Sequence, residues 1–459
     1  MSTERELLHR TAEIAGDILD GLDERPVFPA LPLDEIRTAL GGPLPDQPTD
    51  ALEVVELLAR EVDKGVVATA GPRYFGYVTG GALPATIGAD WLTTIWDQCA
   101  GLGPLGPSVA VVEEITGDWL KDVLGLPQVA SFALTTGCQM AHVTGLAAAR
   151  HAVLEQHGWD VREAGLAGSP PISVVVGRLR HVTVDRALRL LGIGTSQLVV
   201  VPADSQGRME PDGLRRALAE LDGPIIVCAQ AGEVNTGSFD PLPEIVEIVR
   251  DTDAWLHVDG AFGLWAAASP TRRHLVEGVR LADSWASDAH KWLNVPYDCG
   301  LAFCAKPPAH IASMTMKASY FEGQGEWGRD ASDWTPESSR RARALTVYAA
   351  LRSLGRAGVA DLVDRCCDLA ARFAAAISEL PGCELLNDVV LNQVLFRFED
   401  DEATNAALAS VQESGEAWMG GTMWDGRAAI RIAVSNWRTT EADIDRTVAA
   451  FEAARLQRV

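Results

Sequence analysis

The sequence predicts an α/β protein whose large domain is built on a mostly parallel β-sheet. From about residue 130 onwards, short β-branched runs alternate with amphipathic helical stretches. Near-continuous apolar strands separated by helices are typical of a parallel sheet covered on both faces. The chain has 459 residues, of which 47% are hydrophobic, so its length also favours two or three domains.

Five runs have the composition of buried strands. They are Ile172 to Gly177, Gln197 to Pro202, Pro224 to Gly232, Ala254 to Phe262 and Cys299 to Ala305. Segments with helical periodicity lie between several of them. We therefore expect a large domain over residues 76–317.

The N-terminal part, residues 1–75, is predicted to be a helical arm. Two helices are expected there, joined by a proline-rich link from Pro26 to Ile36. So short a segment cannot enclose its own core, and we expect it to pack on another surface, such as a partner subunit.

The C-terminal part predicts a long loop and a smaller α/β domain. Residues 318–340 are rich in Gly, Ser and Asp, and loops of this length are usually functional or mobile. Residues 341–459 begin with a long helical stretch, broken near Gly355 and Gly358, and continue with two strand-like runs.

Composition excludes several classes of partner. The formal net charge is −24, which disfavours nucleic acid and anionic membranes. We find no signal-peptide pattern and no apolar run of about 20 residues. The eight cysteines show neither CxxC pairs nor zinc spacing. We therefore expect a soluble cytoplasmic protein with reduced thiols and no metal site.

The strongest chemical signal is Lys291 in the segment SDAHKWLNVPYDCG, directly after His290. An isolated lysine is more often a surface residue. Here Trp292 and Leu293 follow it, and such neighbours would draw the lysine into an apolar site. Desolvation disfavours the ammonium form, so we expect an amine available for imine formation.

The second signal is Asp259, which ends an apolar strand, where α/β proteins place ligand groups. It could be an ordinary aspartate that caps the next turn. A sharper reading is pairing with the ring nitrogen of pyridoxal 5′-phosphate (PLP), which must stay protonated to withdraw electrons. Lys291 lies 32 residues later, enough for one helix and a return strand, so both residues could share one sheet edge.

The third signal is a Thr-Thr-Gly turn between a strand-like run and a helix, in the segment Leu134 to Leu154. Free N–H groups at a helix N-terminus bind anions. A simple N-cap by Thr135 or Thr136 is the alternative. Given the lysine and the aspartate, we favour a phosphate cup. It consists of Thr136, Gly137 and Cys138.

The fourth signal is His181, in the basic stretch RLRHVTVDR. It could lie in a solvated loop ahead of a helix. The functional interpretation is that its imidazole stacks on the face of the pyridine ring opposite the substrate. A lone histidine would not by itself support this interpretation.

Taken in order, these motifs resemble the group II PLP-dependent decarboxylases, the family of aromatic amino acid, histidine and glutamate decarboxylases. The resemblance covers about Pro72 to Asp445 and includes PRYFGYVTGGALP, AGEVNTGSFDPL and RIAVSNWRTTEADID. It implies the fold type I architecture of PLP-dependent transferases. It also implies a homodimer with active sites at the subunit interface, acting on an amino acid.

The same resemblance implies the roles of individual residues. Lys291 would carry PLP as a Schiff base that the substrate amine displaces, and Asp259 would pair with the ring nitrogen. His181 would stack on one face of the ring, and Ala261 would lie under the other face. The phosphate cup would be assisted by Asp288 or Ser287. His290 would lie beside the lysine.

Substrate residues are implied less directly. Tyr77 and Thr79 resemble substrate-pocket positions, and Arg431 could bind the substrate carboxylate or form a structural ion pair. Aromatic residues at 74, 75, 77, 91 and 96 suit an aromatic substrate, although packing at a dimer interface would explain them equally well.

The chain also departs from the family pattern. Asp288 stands where an asparagine or serine is common, and a carboxylate near a phosphate is unfavourable. In animal and plant aromatic decarboxylases the loop carries a tyrosine that protonates the α-carbon. Here Tyr320 lies at the loop's start, and Trp327, Asp330, Asp333 and Trp334 follow, so the tyrosine cannot be placed.

Two alternatives to simple decarboxylation follow. The unplaced tyrosine leaves open decarboxylation-dependent oxidative deamination to an aldehyde. Aminotransferase or lyase chemistry stays open because a fold does not fix the reaction.

Overall fold

A computed structural model describes residues 3–29, 33–196, 198–316 and 329–456. Its N-terminal part contains three helices rather than the expected two: α1 (Thr3–Gly21), α2 (Leu33–Leu40) and α3 (Ala51–Val62). The predicted proline-rich link contains the start of α2, whose first turn carries Asp34 and Glu35, a favourable charge at a helix N-terminus. No described residue of these three helices is buried.

The large domain is built on a seven-stranded sheet. Its strands are β1 (Ser131–Thr135), β2 (Ser173–Gly177), β3 (Leu198–Val201), β4 (Ile225–Gln230), β5 (Trp255–Asp259), β6 (Ser284–Asp288) and β7 (Gly300–Cys304). The order is β1-β7-β6-β5-β4-β2-β3, and only β7 runs antiparallel to its neighbours. The carboxyl ends of six strands therefore meet at one edge.

Helices flank this sheet. They are α4 (Pro84–Trp96), α5 (Pro107–Val123), α6 (Cys138–Glu155), α7 (Val161–Ala164), α8 (Val182–Leu190), α9 (Pro211–Ala219), α10 (Leu242–Arg250) and α11 (Pro307–Met314). Four of them begin with proline, whose missing N–H is not needed at that position.

The segment between Asp259 and Lys291 differs from the expectation of one helix and a return strand. It contains three 3₁₀ turns, Gly263–Ala268, Arg273–Val276 and Val279–Leu281, followed by the parallel strand β6. The sequence of β6, SWASD, has too few β-branched residues to stand out, but all five residues are buried.

The C-terminal part forms a smaller α/β unit. Its elements are α12 (Ala344–Ser378), β8 (Glu384–Leu385), β9 (Gln393–Arg397), α13 (Asp401–Ser414), β10 (Gly420–Trp424), β11 (Arg427–Ala433) and α14 (Glu441–Leu456). The strands form an antiparallel sheet in the order β10-β11-β9-β8. Helix α12 is kinked at Gly355, with φ 60°, one of the two glycines where a break is expected.

Hydrogen bonds join this unit to the large domain beside β11. Arg431 Nη1 donates to the carbonyl oxygen of Val234 at 3.0 Å, and Asn294 Nδ2 donates to that of Ser435 at 2.9 Å. The four domain limits remain predictions. Tyr320 and Trp327 lie outside the described residues. Among the described residues, no helix combines the length and apolar character needed to cross a bilayer.

Candidate active site

A cavity of about 390 Å³ lies at the carboxyl edge of the large sheet. Strand ends supply much of its wall: Thr136 follows β1, Asp259 ends β5 and Asp288 ends β6. Ligand sites in α/β proteins lie at this edge because loops and strand termini converge there.

The structure brings almost all the predicted site residues to this cavity. Those lining it are Tyr77, Thr136, Gly137, Cys138, His181, Asp259, Ala261, Asp288, His290, Lys291 and Arg431. Thr79 and Ser287 are the exceptions, because they are 5% and 0% exposed and are not part of the lining. The N–H of Thr79 closes a tight turn on the carbonyl of Gly76, and the positive φ angles of Tyr77 and Val78, 53° and 57°, turn the chain so that only Tyr77 reaches the cavity.

Lys291 lies beside the carboxylate of Asp288. Its Nζ is 3.1 Å from Asp288 Oδ2, and His290 Nε2 is 3.5 Å from Asp288 Oδ1. Burial lowers the pKa of Lys291, but Asp288, Cys138 and Asp259 together outweigh burial and leave the pKa raised. The expectation that desolvation frees the amine was therefore wrong, because it left out the charge of Asp288, three residues earlier in the chain, which favours the ammonium form.

The N-terminus of α6 faces the cavity, where the Asp288 carboxylate takes one of its N–H groups. Gly137 has φ 150° and provides no side-chain cap, and the N–H of Cys138 donates to Asp288 Oδ1 at 2.6 Å. A Cβ at Gly137 would lie 3.2 Å from His290 Cε1, and one at Gly300 would lie 2.2 Å from the carbonyl carbon of Gly137. Gly300 lets the two backbones approach closely, and Gly137 leaves room for the His290 ring, so the turn can form a cradle for an anion.

Asp259 is 5% exposed and well supplied with donors. Its Oδ1 accepts from the N–H of Ala261 at 3.1 Å, and its Oδ2 is 3.4 Å from His142 Nε2. Burial raises the pKa of this carboxyl, but His142, His181 and Lys291 more than compensate and hold the pKa well below its ordinary value. Asp259 is therefore an ionised carboxylate that both caps the next turn and faces the cavity.

Two further cavity residues have defined supports. His181 is the N-cap of α8, with its Nδ1 2.7 Å from Thr183 Oγ1, and burial lowers the pKa of its imidazole. Arg431 is half-buried, and no carboxylate of the described residues lies within ion-pair distance of it. The structural ion pair considered for Arg431 is therefore not formed. Its hydrogen bond to Val234 O leaves the other N–H groups of the guanidinium available for an anion.

Sequence reasoning missed other residues at the site. Gln139, Thr183, Gln230, Val234 and Phe262 also line the cavity. His142, which supports Asp259 from behind, was missed as well. The available signal was its position one helical turn after Cys138, which places both side chains on the same face of α6.

The cavity suits a flat, anionic, carbonyl-bearing cofactor. A lysine amine, an ionised strand-end carboxylate and a helix N-terminus without a side-chain cap of its own meet within it, and PLP requires one group of each kind. The fold and the cavity thus define a PLP-dependent enzyme of the α/β class.

Comparison with known proteins identifies the family. The family model described as "Pyridoxal-dependent decarboxylase conserved domain" matches residues 32–399, so the chain belongs to the pyridoxal-dependent decarboxylase family. It is 27% identical to an aromatic-L-amino-acid decarboxylase of Bacillus atrophaeus, over 96% of this chain and 93% of the relative. It is 26% identical to a 4-hydroxyphenylacetaldehyde synthase of Rhodiola rosea, over 92% of this chain and 89% of the relative.

The fold agrees with this assignment. A crystal structure of Oryza sativa TDC with PLP and tryptamine superposes with a TM-score of 0.92 at 22% identity, covering 99% of this chain and 98% of that one. The predictions of fold type I, of PLP as the cofactor and of a carboxy-lyase are confirmed.

Proposed function

We propose that this enzyme decarboxylates an aromatic L-amino acid to the corresponding amine. The observation that carries the proposal is that Lys291, Asp259 and the N-terminus of α6 line the same cavity. The guanidinium of Arg431 also lines it. The similarity to an aromatic-L-amino-acid decarboxylase supports the substrate class. Arg431 would serve the α-carboxylate, and the described lining contains no second arginine for an acidic side chain.

Most of the predicted site residues would hold the cofactor. Lys291 would bind it covalently, and Thr136, Gly137 and Cys138 would hold its phosphate at the helix N-terminus. Asp259 would keep a proton on the ring nitrogen. His181 and Ala261 would enclose the ring, with His290 and Asp288 beside the lysine. Bound PLP supplies an electron sink for the pair released when a carboxylate leaves an amino acid.

The chain's own residues would then orient the substrate and manage protons. Arg431, fixed by its hydrogen bond to Val234 O, would receive the carboxylate. Tyr77 and Phe262 offer aromatic surface for an aromatic side chain, and Tyr77 is itself stacked on Trp418 with ring centroids 5.4 Å apart. Once Lys291 is released by the substrate, its amine would be free to hold or move a proton at Nζ. A partly enclosed cavity favours loss of the charged carboxylate by limiting its hydration.

The substrate is tested by product analysis. Purified, PLP-loaded protein is incubated in air with each standard L-amino acid, and products are identified by mass spectrometry. We expect an amine from one or more aromatic amino acids. A product that forms only with an added keto acid, or amines from acidic amino acids alone, would overturn the proposed activity.

A second candidate is decarboxylation coupled to oxidative deamination, which consumes oxygen and water and yields an aldehyde, ammonia and hydrogen peroxide. The specific observation in its favour is the 26% identity to a 4-hydroxyphenylacetaldehyde synthase. The same incubations separate the two candidates, because only the oxidative reaction gives peroxide in proportion to product.

We further propose a homodimer. Helix α4 carries an exposed apolar face whose members are Trp91, Leu92, Ile95 and Trp96, with exposures of 41%, 48%, 61% and 51%. The three N-terminal helices bury no described residue, and exposed apolar surface of this kind marks a protein interface. Light scattering should give twice the chain mass of 49.1 kDa.

Of the five aromatic residues considered for contact with an aromatic substrate, at positions 74, 75, 77, 91 and 96, only Tyr77 lines the cavity.

A cytoplasmic location is also proposed. All eight cysteines are free, and six of them are buried. Unpaired thiols are usual in a reducing compartment.

The acidic partner of Lys291 predicts a pH dependence of cofactor attachment. Only the neutral amine attacks a carbonyl, so a raised lysine pKa slows attachment at neutral pH, and the rate should rise as pH rises towards that pKa. Asp288→Asn removes the carboxylate charge but retains an oxygen for the Cys138 N–H. It should lower the pKa of Lys291 and shift the profile of attachment rate downwards by about one pH unit or more.

Stopped-flow absorbance of PLP binding to the cofactor-free protein measures this profile. Asp283→Asn is the matched control, since Asp283 pairs with Lys306 at 2.8 Å and is not part of the cavity lining. Identical profiles for Asp288→Asn and the unaltered enzyme would show that Asp288 does not set the state of the lysine.

A further inference from the structure

A chain of buried hydrogen bonds runs through the large domain to Asp259. Trp255 Nε1 donates to Ser284 Oγ at 2.8 Å, and Ser284 Oγ is 2.8 Å from His257 Nδ1. His257 Nε2 is 2.9 Å from His142 Nδ1, and His142 Nε2 is 3.4 Å from Asp259 Oδ2. Of the three residues between Trp255 and Asp259 in this chain, Ser284 lies in β6, His257 in β5 and His142 in α6.

The hydrogen-bonding capacities of these groups fix the direction of the chain. A hydroxyl can accept two hydrogen bonds, so the indole N–H alone does not set the direction. The ionised Asp259 does, because it only accepts from His142 Nε2, which leaves Ser284 Oγ to donate to His257 Nδ1. His257 then carries its proton on Nε2 and donates to His142 Nδ1. His142 is left with its proton on Nε2, which faces Asp259. Burial and the neighbouring His142 lower the pKa of His257 to about 3, in keeping with a neutral ring.

This arrangement is not explained by packing alone. Ser284, His257 and His142 are each 0% exposed, and buried polar groups lower stability unless they are hydrogen-bonded. Space for the His257 ring exists because residue 145 is glycine: a Cβ there would lie 2.9 Å from His257 Cε1. Apolar side chains would fill the same volume without this requirement.

We propose that Ser284, His257 and His142 are positioning residues that lock one tautomer of His142 and thereby keep Asp259 ionised for the cofactor's ring nitrogen. This inference rests on the proposed cofactor role of Asp259. If Ser284 stopped donating, His257 and His142 could both reverse their tautomers. A lone pair on His142 Nε2 would then face Asp259, which would take up a proton and lose its hold on the ring proton.

The other groups near His142 do not provide an alternative role for it. Cys138 Sγ is 3.5 Å from His142 Nε2, and the side chains of Cys138, His142 and Asp259 have ligand atoms within 4.8 Å of one another, as in a metal site. However, His142 Nε2 directs its proton to Asp259 in the chain described above, so it has no lone pair for a metal ion. Both nitrogens of His142 already have hydrogen-bonding partners.

The test uses holoenzyme reconstituted with PLP that is ¹⁵N-labelled at the ring nitrogen. The ¹⁵N chemical shift reports whether this nitrogen carries a proton, independently of any activity. We expect the protonated shift in the unaltered enzyme and a move towards the unprotonated shift in Ser284→Ala and His257→Phe. His257→Gln keeps a donor for His142 and should restore most of the original shift. In the decarboxylation assay, kcat of Ser284→Ala should fall about tenfold with little change in KM.

Two further variants separate the outcomes. Ser131→Ala removes another buried serine–histidine contact, 2.9 Å from Oγ to His310 Nδ1, and should leave the ¹⁵N shift unchanged. Asp259→Asn should move the shift whether or not the other residues matter. If Asp259→Asn moves the shift while Ser284→Ala and His257→Phe do not, the positioning role is wrong. If Asp259→Asn has no effect either, the assignment of Asp259 to the cofactor fails.

Discussion

Lys291→Arg is expected to abolish covalent cofactor attachment and to lower kcat by at least about 10³-fold. A guanidinium stays protonated at any accessible pH, so it cannot form the imine that an amine forms. The visible absorbance of the purified protein should be lost on dialysis, whereas that of the unaltered enzyme should persist. Decarboxylation is followed by release of labelled carbon dioxide from a carboxyl-labelled aromatic amino acid.

Lys306→Arg is the matched control for this variant. Lys306 pairs with Asp283 next to β7 and is not part of the cavity lining, so its replacement should leave both absorbance and kcat close to normal. Retention of substantial activity in Lys291→Arg would mean that another lysine anchors the cofactor.

Asp259→Asn is expected to lower kcat by about 10²-fold, the scale of a lost charged hydrogen bond. An amide cannot hold a proton on the ring nitrogen by charge, so the electron demand of bound PLP weakens while substrate binding through Arg431 is retained. The variant should therefore show a large fall in kcat and a small change in KM. Initial rates over a range of substrate concentrations separate the two constants.

Asp443→Asn provides the comparison for Asp259→Asn. Asp443 is also buried and charge-paired, 3.2 Å from Arg73, but it lies in α14 and is not part of the cavity lining. It should lower the melting temperature without a comparable loss of kcat. Equal losses in both variants would indicate that Asp259 acts through stability alone.

Much of the site could be predicted because it follows from strand ends. Asp259 ends the apolar strand β5, and the Thr-Thr-Gly turn links β1 to α6. Both lie at one edge of the sheet because β1 and β5 run in the same direction, on either side of β6 and the antiparallel β7. Lys291 joined them because a residue soon after a neighbouring strand reaches the same edge. The spacing was right in outcome but not in detail, because 3₁₀ turns and the parallel strand β6 stand where one helix and a return strand were expected.

The remaining features depend on contacts between residues distant in sequence. His142 lies in a helix and His257 in a strand, 115 residues apart, so neither position alone indicates that they share a hydrogen bond. Asp288 lies only three residues before Lys291, but its second contact, with the N–H of Cys138, spans 150 residues and could not be predicted from the sequence. Thr79 was misplaced because the positive φ angles at Tyr77 and Val78 cannot be read from non-glycine residues.

Reductive trapping of the cofactor shows directly whether Lys291 anchors PLP in this cavity. The holoenzyme is treated with borohydride, digested, and its peptides are mapped by mass spectrometry. The chain has only five lysines, Lys64, Lys121, Lys291, Lys306 and Lys317, so the site of the adduct is unambiguous. We expect one reduced pyridoxyl group per chain, on the peptide containing Lys291. An adduct on any of the other four lysines, or none on a protein that retains PLP and activity, would contradict the assignment of this cavity as the active site.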